Sequence, residues 1–242
     1  MFWKADQLQG VLFPAPNTPI LDAADIWRML FNGQMPEAYQ RAPGFPAPSS
    51  QADGAMGEYH LQVSSAIGRI DFRLSSNVDA AEDGPPRIAE ILPALEVLCA
   101  LQSRIIGNLQ VIRVATVLNL AMSFKDSEER YNKFSEFVPD AKYPANASDF
   151  VYQYNVRKNF EGPGDHEMNR VLTWTSNELQ MLAMQVNIPT LGAQQIPIKS
   201  YPSIGWKIDL NSATTSDISE YAKSFIFQQK EEAMRIVKSG RL

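Results

Sequence analysis

Along this chain, apolar residues recur either every second position or at helical spacing, and the changes of period divide it into elements. Leu8 to Phe13 read as a short apolar strand closed by Pro14 and Pro16. Asp22 or a nearby residue then opens a helix with Ile26, Trp27, Leu30 and Phe31 on one stripe, which Pro36 ends. Residues 40–57, rich in Pro, Ala, Ser and Gly, read as a long mobile loop. Tyr59, Leu61 and Val63 alternate with polar neighbours, as do Ile70, Phe72 and Leu74, which predicts a hairpin with one wet face. Pro85 and Pro86 suit the start of a long helix whose stripe runs from Ile88 to Ile105, with a kink at Pro93 and an end at Gly107.

The run "VIRVATVLNLAMSF", residues 111–124, is the most β-prone of the chain. It reads as a central strand with Ile112, Val114, Leu118, Leu120, Met122 and Phe124 on one face, and Arg113, Asn119 and Ser123 on the other. Asp126 or Ser127 caps a short helix that Pro139 stops. Alternation predicts strands over 150–156 and 170–174, a turn at 175–178, a return over 179–186, a Pro-rich connection and a strand over 204–210. A long helix capped by Ser216 and stopped by Gly240 closes the chain.

Residues 8–106 and 111–240 therefore share one order: strand, short helix, further strands, long helix. A single shift lays Val11 on Val114, Phe31 on Phe134, Pro36 on Pro139 and Ala38 on Ala141, and another lays Arg69 on Arg170, Ile70 on Val171 and Ser75 on Ser176. The expected fold is α+β, built by internal duplication from two similar halves, 1–107 and 108–242, which could form one compact domain. Each half is an antiparallel sheet packed with a short and a long helix.

At 242 residues with 45% hydrophobic and 20% charged, the chain can bury a sizeable core. The net charge of −5 and the scatter of its basic residues argue against a nucleic-acid partner. One cysteine, Cys99, fits a reducing compartment, and no apolar run reaches signal-peptide or membrane-span length, so a soluble cytoplasmic protein is expected.

Candidate chemistry is sparse. The face Arg69, Asp71, Arg73 reads as a solvated sheet surface, with Gln62 as a cross-strand partner, or as a reader of an anion or a partner's acidic side chain. His166, between Asp165 and Glu167 in a Gly-rich turn at Gly162 and Gly164, offers an acid/base or metal-binding reading, but a metal needs more ligands than this chain's two histidines and one cysteine readily supply. Cys99 falls on a helical stripe and reads as a buried thiol, and His60 sits on the polar side of its strand. Trp3, Trp27, Trp174 and Trp206 read as core; Trp174 shares a strand face with Arg170 and is the one that would mark a binding surface. No phosphate loop, dinucleotide fingerprint, nucleophile elbow or His-Glu-x-x-His motif occurs, so no cofactor is expected.

The strand "VIRVATVLNLAMSF" and the closing "KIDLNSATTSDISEYAKSFIFQQKEEAMRIVKSG" resemble a sporadically distributed family of uncharacterised bacterial proteins of about 250 residues, mainly over the second half. That family's closing helix commonly carries a His, which is missing here after Tyr221. The resemblance implies a bacterial, mobile-element-like setting, defence systems included, and no particular chemistry. The function expected first is a non-enzymatic binding or assembly component whose partner is another protein. Two alternatives stand beside it: a small-molecule or nucleotide-handling enzyme built on Arg69, Asp71, Asp165, His166 and Glu167, and a homo-oligomeric scaffold.

Overall fold

The two strands that begin the repeated order lie side by side. β1 (Lys4–Pro14) pairs antiparallel with β6 (Val111–Ser123), and Leu8 faces Leu118 across the pair. The computed structural model describes residues 3–44, 48–77, 86–141, 143–144, 147, 149–162, 165–187, 192–213 and 217–241, and for 179–187 and 192–199 the backbone alone. Pro85, Gly164 and Ser216 lie outside these residues. The other strands are β2 (Ala38–Ala42), β3 (Ser49–Met56), β4 (Tyr59–Ala66), β5 (Arg69–Ser76), β7 (Phe150–Asn159), β8 (Glu167–Asn187) and β9 (Gly192–Ser212). All join one antiparallel sheet in the order β2-β3-β4-β5-β1-β6-β9-β8-β7. Read outward from the central pair, each flank is filled by the strands that follow its own first strand.

Among the described residues four helices accompany the sheet: α1 (Ala23–Leu30), α2 (Ile91–Ile106), α3 (Ser127–Phe137) and α4 (Ala222–Ser239). The Asp22 carboxylate accepts from the Ala24 N–H at 2.9 Å and fixes the start of α1. Asp126 does the same for α3 through the Glu129 N–H at 2.8 Å. Gly240, with φ +71°, turns the chain out of α4 while its N–H bonds the Ile236 carbonyl.

Cross-strand partners share a face, which places every helix on the same side. Gly10 lies under Gln102 of α2, and its partner Thr116 bonds Gln229 of α4. Gly54 lies under Trp27 of α1, and Phe150 packs edge-on against Phe134 of α3. The Gly54 row reaches Leu8 through Leu61 and Leu74, and the Phe150 row reaches Met122 through Ser176 and Ile204. Apolar residues from every strand except β2 pack on that side in one continuous core, which includes all four tryptophans.

Several expectations are corrected. Much of 40–57 is sheet, because Ser50 and Ala52 alternate inward beneath α1 and the strand-spaced Ala38–Ala42 covers β3. Pro93 does not kink α2, since the helix begins at Ile91 and the missing N–H falls in the first turn, where it has no helical partner. No turn occurs at 175–178: β8 runs straight through, and Ser176 faces the core. From Gly192 onward the Pro-rich connection is strand β9, with Pro197 beside a bulge opposite Met181 and Leu182, a place where a strand tolerates proline.

The residue-level echoes also fail. Val11 lies on the helix-free face and Val114 beneath α4, while Arg69 and Arg170 likewise take opposite faces. A slip of one residue along a strand inverts its faces, so these pairs are not structural equivalents.

One buried carboxylate ties α4 to the outer strands. Glu232 accepts from Arg170 of β8 at 2.9 Å, Lys158 of β7 at 3.1 Å and Arg235 of its own helix at 2.7 Å. Burial pushes its pKa up, but the bonds from Arg235, Arg170 and Lys158 outweigh burial and hold it down at about 2, below the ordinary 4.5. A depressed carboxylate contributes stability that is complete above pH 4.5 and lost as pH falls toward 2. Two of the three cations are nearly half exposed, so the contribution is on the order of 2 kcal/mol rather than the full Coulomb value. Glu232→Gln is therefore expected to flatten the loss of stability between pH 4.5 and 2 and to lower stability at neutral pH, as measured by urea unfolding across that range.

Candidate functional site

Because the four helices take one side, the other side of the sheet presents alternate residues of the strands with no helix over it among the described residues. One row of cross-strand neighbours there runs Gln51, Ser64, Asp71, Val11, Ala115, Asn211, Asn169 and Arg157, spanning β3 to β7. The next row carries Asp53, Gln62, Arg73, Gln9, Val117, Asp209 and Val171. Alternation makes this face polar by default, with a narrow apolar strip at Val11, Ala115 and Val117 along the central pair.

That strip is not open to water. Val11 is 2% exposed and Asp71 5%, although no helix covers them, because long side chains from neighbouring strands fold over the centre. Arg69 donates twice to Asp71, from Nε and Nη2, both at 2.8 Å, and Gln9 donates to the same carboxylate at 2.6 Å. Arg73 reaches Gln62 at 2.9 Å and Ser64 at 3.1 Å, with its second nitrogen 3.8 Å from Asp71. The bond to Asp71 raises the Arg69 pKa further above its ordinary range against the opposing effect of burial.

Phe13 sits between this group and a second one. The Arg69 guanidinium lies 5.6 Å from the Phe13 ring centre and that of Arg113 lies 5.0 Å from it. Arg113 also donates to the Asn211 side-chain oxygen at 2.7 Å, Asn169 donates to that oxygen at 3.1 Å, and Asn211 donates to Asp209 at 2.9 Å. Lys207 stands 3.7 Å from Asp209. The result is a layer of guanidinium, amide and carboxylate groups around one aromatic ring, with its hydrogen-bond geometry fixed before anything binds.

Of the residues singled out in the sequence, Arg69, Asp71 and Arg73 are brought together here. The others are not. Trp174 is 2% exposed, on the helix side of β8, and stacks on Trp206 at 5.5 Å, so it is core and not surface. His166 packs against Tyr221 and Phe225 at the start of α4, at 5.7 and 5.3 Å. It is thereby on the helix side, away from Asp71, and the pairing that the enzyme reading required is absent. Glu167 pairs instead with Arg157 at 3.0 Å. Cys99 is partly buried on α2 beside Lys230, and burial pushes its thiol up to about 12, which leaves it protonated at neutral pH. His60 keeps the exposed side of β4, 3.6 Å from Asp53.

Gln9, Phe13, Arg113, Asp209 and Asn211 belong to the site and were not assigned to it from sequence. Alternation sorted Arg113 onto the polar side of its strand; what it lacked was the strand order that sets β1 between β5 and β6. Among the described residues no group of three or more His, Cys, Asp or Glu side chains is placed to hold a metal, and no helix is long and apolar enough to cross a membrane. No protein-family model, curated protein or solved structure matches the chain.

The arrangement suits recognition. Planar guanidinium groups held by carboxylate and ring can offer their free edges to a partner's carboxylate or backbone carbonyl without first losing much conformational freedom. Asp71→Asn removes the charge that holds Arg69 and is expected to destabilise the fold by about 1.5–3 kcal/mol, the range for hydrogen bonds to charged groups, read as a lowered urea midpoint with an unchanged slope.

Proposed function

We propose that the protein is a non-enzymatic binding and assembly component that docks another protein on the helix-free face of its sheet, centred on Phe13, Arg69, Arg73 and Arg113. The observation that carries this reading is the pre-set layer in which two arginines lie against Phe13 while Asp71 and Asn211 hold their guanidinium groups. Aromatic and arginine side chains together are the residue types that dominate protein interfaces. The separation of His166 from Asp71 favours this reading over an enzyme site that needs both groups together.

The mirrored strand order about β1 and β6 supports a scaffold of two halves made by internal duplication, and the resemblance over the second half supports a role in a bacterial or mobile-element system. A duplicated scaffold of this kind brings one strand from each half to the centre of the binding face, so the docking surface belongs to both halves.

Native mass spectrometry of the protein purified gently from its own host tests the reading, alongside a variant carrying Arg73→Glu and Arg113→Glu, which leaves the Arg69–Asp71 pair in place. A second polypeptide is expected on the wild-type chain and is expected to fall at least tenfold in occupancy on the variant, with the circular dichroism of the two chains superimposable. A partner held equally by both chains would overturn the assignment of this face.

A further inference from the structure

The two longest strands outrun the sheet. β9 pairs with β6 only from Ser203 onward, and β8 pairs with β7 only up to Ser176. Beyond that level β8 and β9 continue together, from Glu178 opposite Pro202 to Asn187 opposite Gly192, with no third strand beside them among the described residues. The paired segment is about ten residues long and reaches roughly 33 Å from the sheet at the usual rise per residue.

A two-stranded ribbon standing alone in water is marginal, because it buries almost no apolar surface and leaves both outer edges unpaired. This one is also uncharged from Leu179 to Ile198, in a chain that is 20% charged, and it contains Leu179, Met181, Leu182, Met184, Val186, Ile196 and Ile198. Such a sequence offers nothing to a phosphate backbone. A surface without charges gives a foreign partner little electrostatic basis for selection, whereas it meets its own copy without like-charge repulsion.

We propose that the β8–β9 ribbon is a dimerisation arm, and that the ribbons of two copies of this chain pack on each other about a two-fold axis. An isologous contact needs one self-complementary surface, and a single ribbon supplies both sides of it. The size suits a small interface: alternation puts about half of the twenty ribbon residues on any one face, below the 20–30 residues a side of a standard interface and in the range of weaker complexes. The arm leaves the sheet at the level of Ser123 and Ser203, whereas Phe13 and Arg113 pair toward the other end of β6, so dimerisation and partner docking use different ends of the sheet.

Sedimentation equilibrium and native mass spectrometry on the full chain test this. The expected mass is twice that of the 27.1 kDa chain. A variant in which residues 179–201 are replaced by Asn-Gly, joining Glu178 to Pro202, is expected to be a monomer with unchanged far-ultraviolet ellipticity per sheet residue, since β6 and β7 do not use the deleted segment. A full-length variant with Met184→Lys and Ile196→Lys is expected to weaken association at least 100-fold. A wild-type chain that is monomeric at about 100 μM, or a dimer that survives both changes, overturns the proposal. So does a monomer whose ribbon is needed to hold a different protein, or to bind vesicles of neutral phosphatidylcholine, each of which reassigns the arm.

Discussion

Because β1 and β6 pair at the centre of the sheet, the chain before residue 107 and the chain after it cannot build separate cores. The pairing aligns ten positions of β1 with β6 and sets the two helices that close the repeated order, α2 and α4, side by side over the same face. Their contact with the central strands is polar at its heart. Gln229 of α4 is satisfied: it donates to the Val114 carbonyl and accepts from Thr116. Gln102 of α2 donates weakly to the Ala115 carbonyl at 3.4 Å, and its own oxygen has no partner although the residue is fully buried. Glycine at position 10 is what allows α2 to sit there, since a Cβ would lie 2.4 Å from the Gln102 side chain. Two amides in low-dielectric surroundings, one paired well and one poorly, fix how each helix meets its strand more sharply than apolar packing alone would.

The helix-free face follows from the same constraint. With most apolar side chains of the inner strands directed to the helices, the other face had to be compatible with water, yet the central pair still places Val11, Ala115 and Val117 there. Arginines at 69 and 113 resolve the conflict by laying their apolar stems and planar heads over the strip and over Phe13. A bare solvent-facing surface would need no such precision; short polar residues or lysines would suffice. The bidentate lock of Arg69 on a nearly fully buried Asp71 marks the difference between a face that is merely tolerated by water and one whose donors are held in place.

Elements with an unambiguous period were legible in the sequence, and what was lost depended on information from other strands. Leu8–Phe13, Tyr59–Leu74 and Val111–Phe124 show their faces through alternation, and Asp22 and Asp126 show where helices begin. Ser176 and Asn177 look like turn residues by local preference, but cross-strand bonds to β9 hold them extended, a tertiary override of a weak propensity. The 40–57 segment lacks the large residues that announce strands, because Gly54 must leave room for Trp27 and the inward Ser50 and Ala52 are small. The order strand, short helix, strands, long helix recurs in both stretches, whereas word-level matches such as Val11 with Val114 and Arg69 with Arg170 take opposite faces of the sheet.

Site and scaffold also differ in how they are stabilised. Glu232 and its three cations lie on the helix side, binding α4 to the outer strands β7 and β8 where the hydrophobic layer thins. The Arg69–Asp71–Arg73 group lies on the opposite side, over the strands of the first half and β1. Two charged networks separated by the thickness of the sheet share no side chain, so a change in one has no direct path to the other. The helix-side network holds the edge of the sheet firm, while the helix-free face keeps its donors in place through a network of its own, so each side of the sheet is fixed independently of the other.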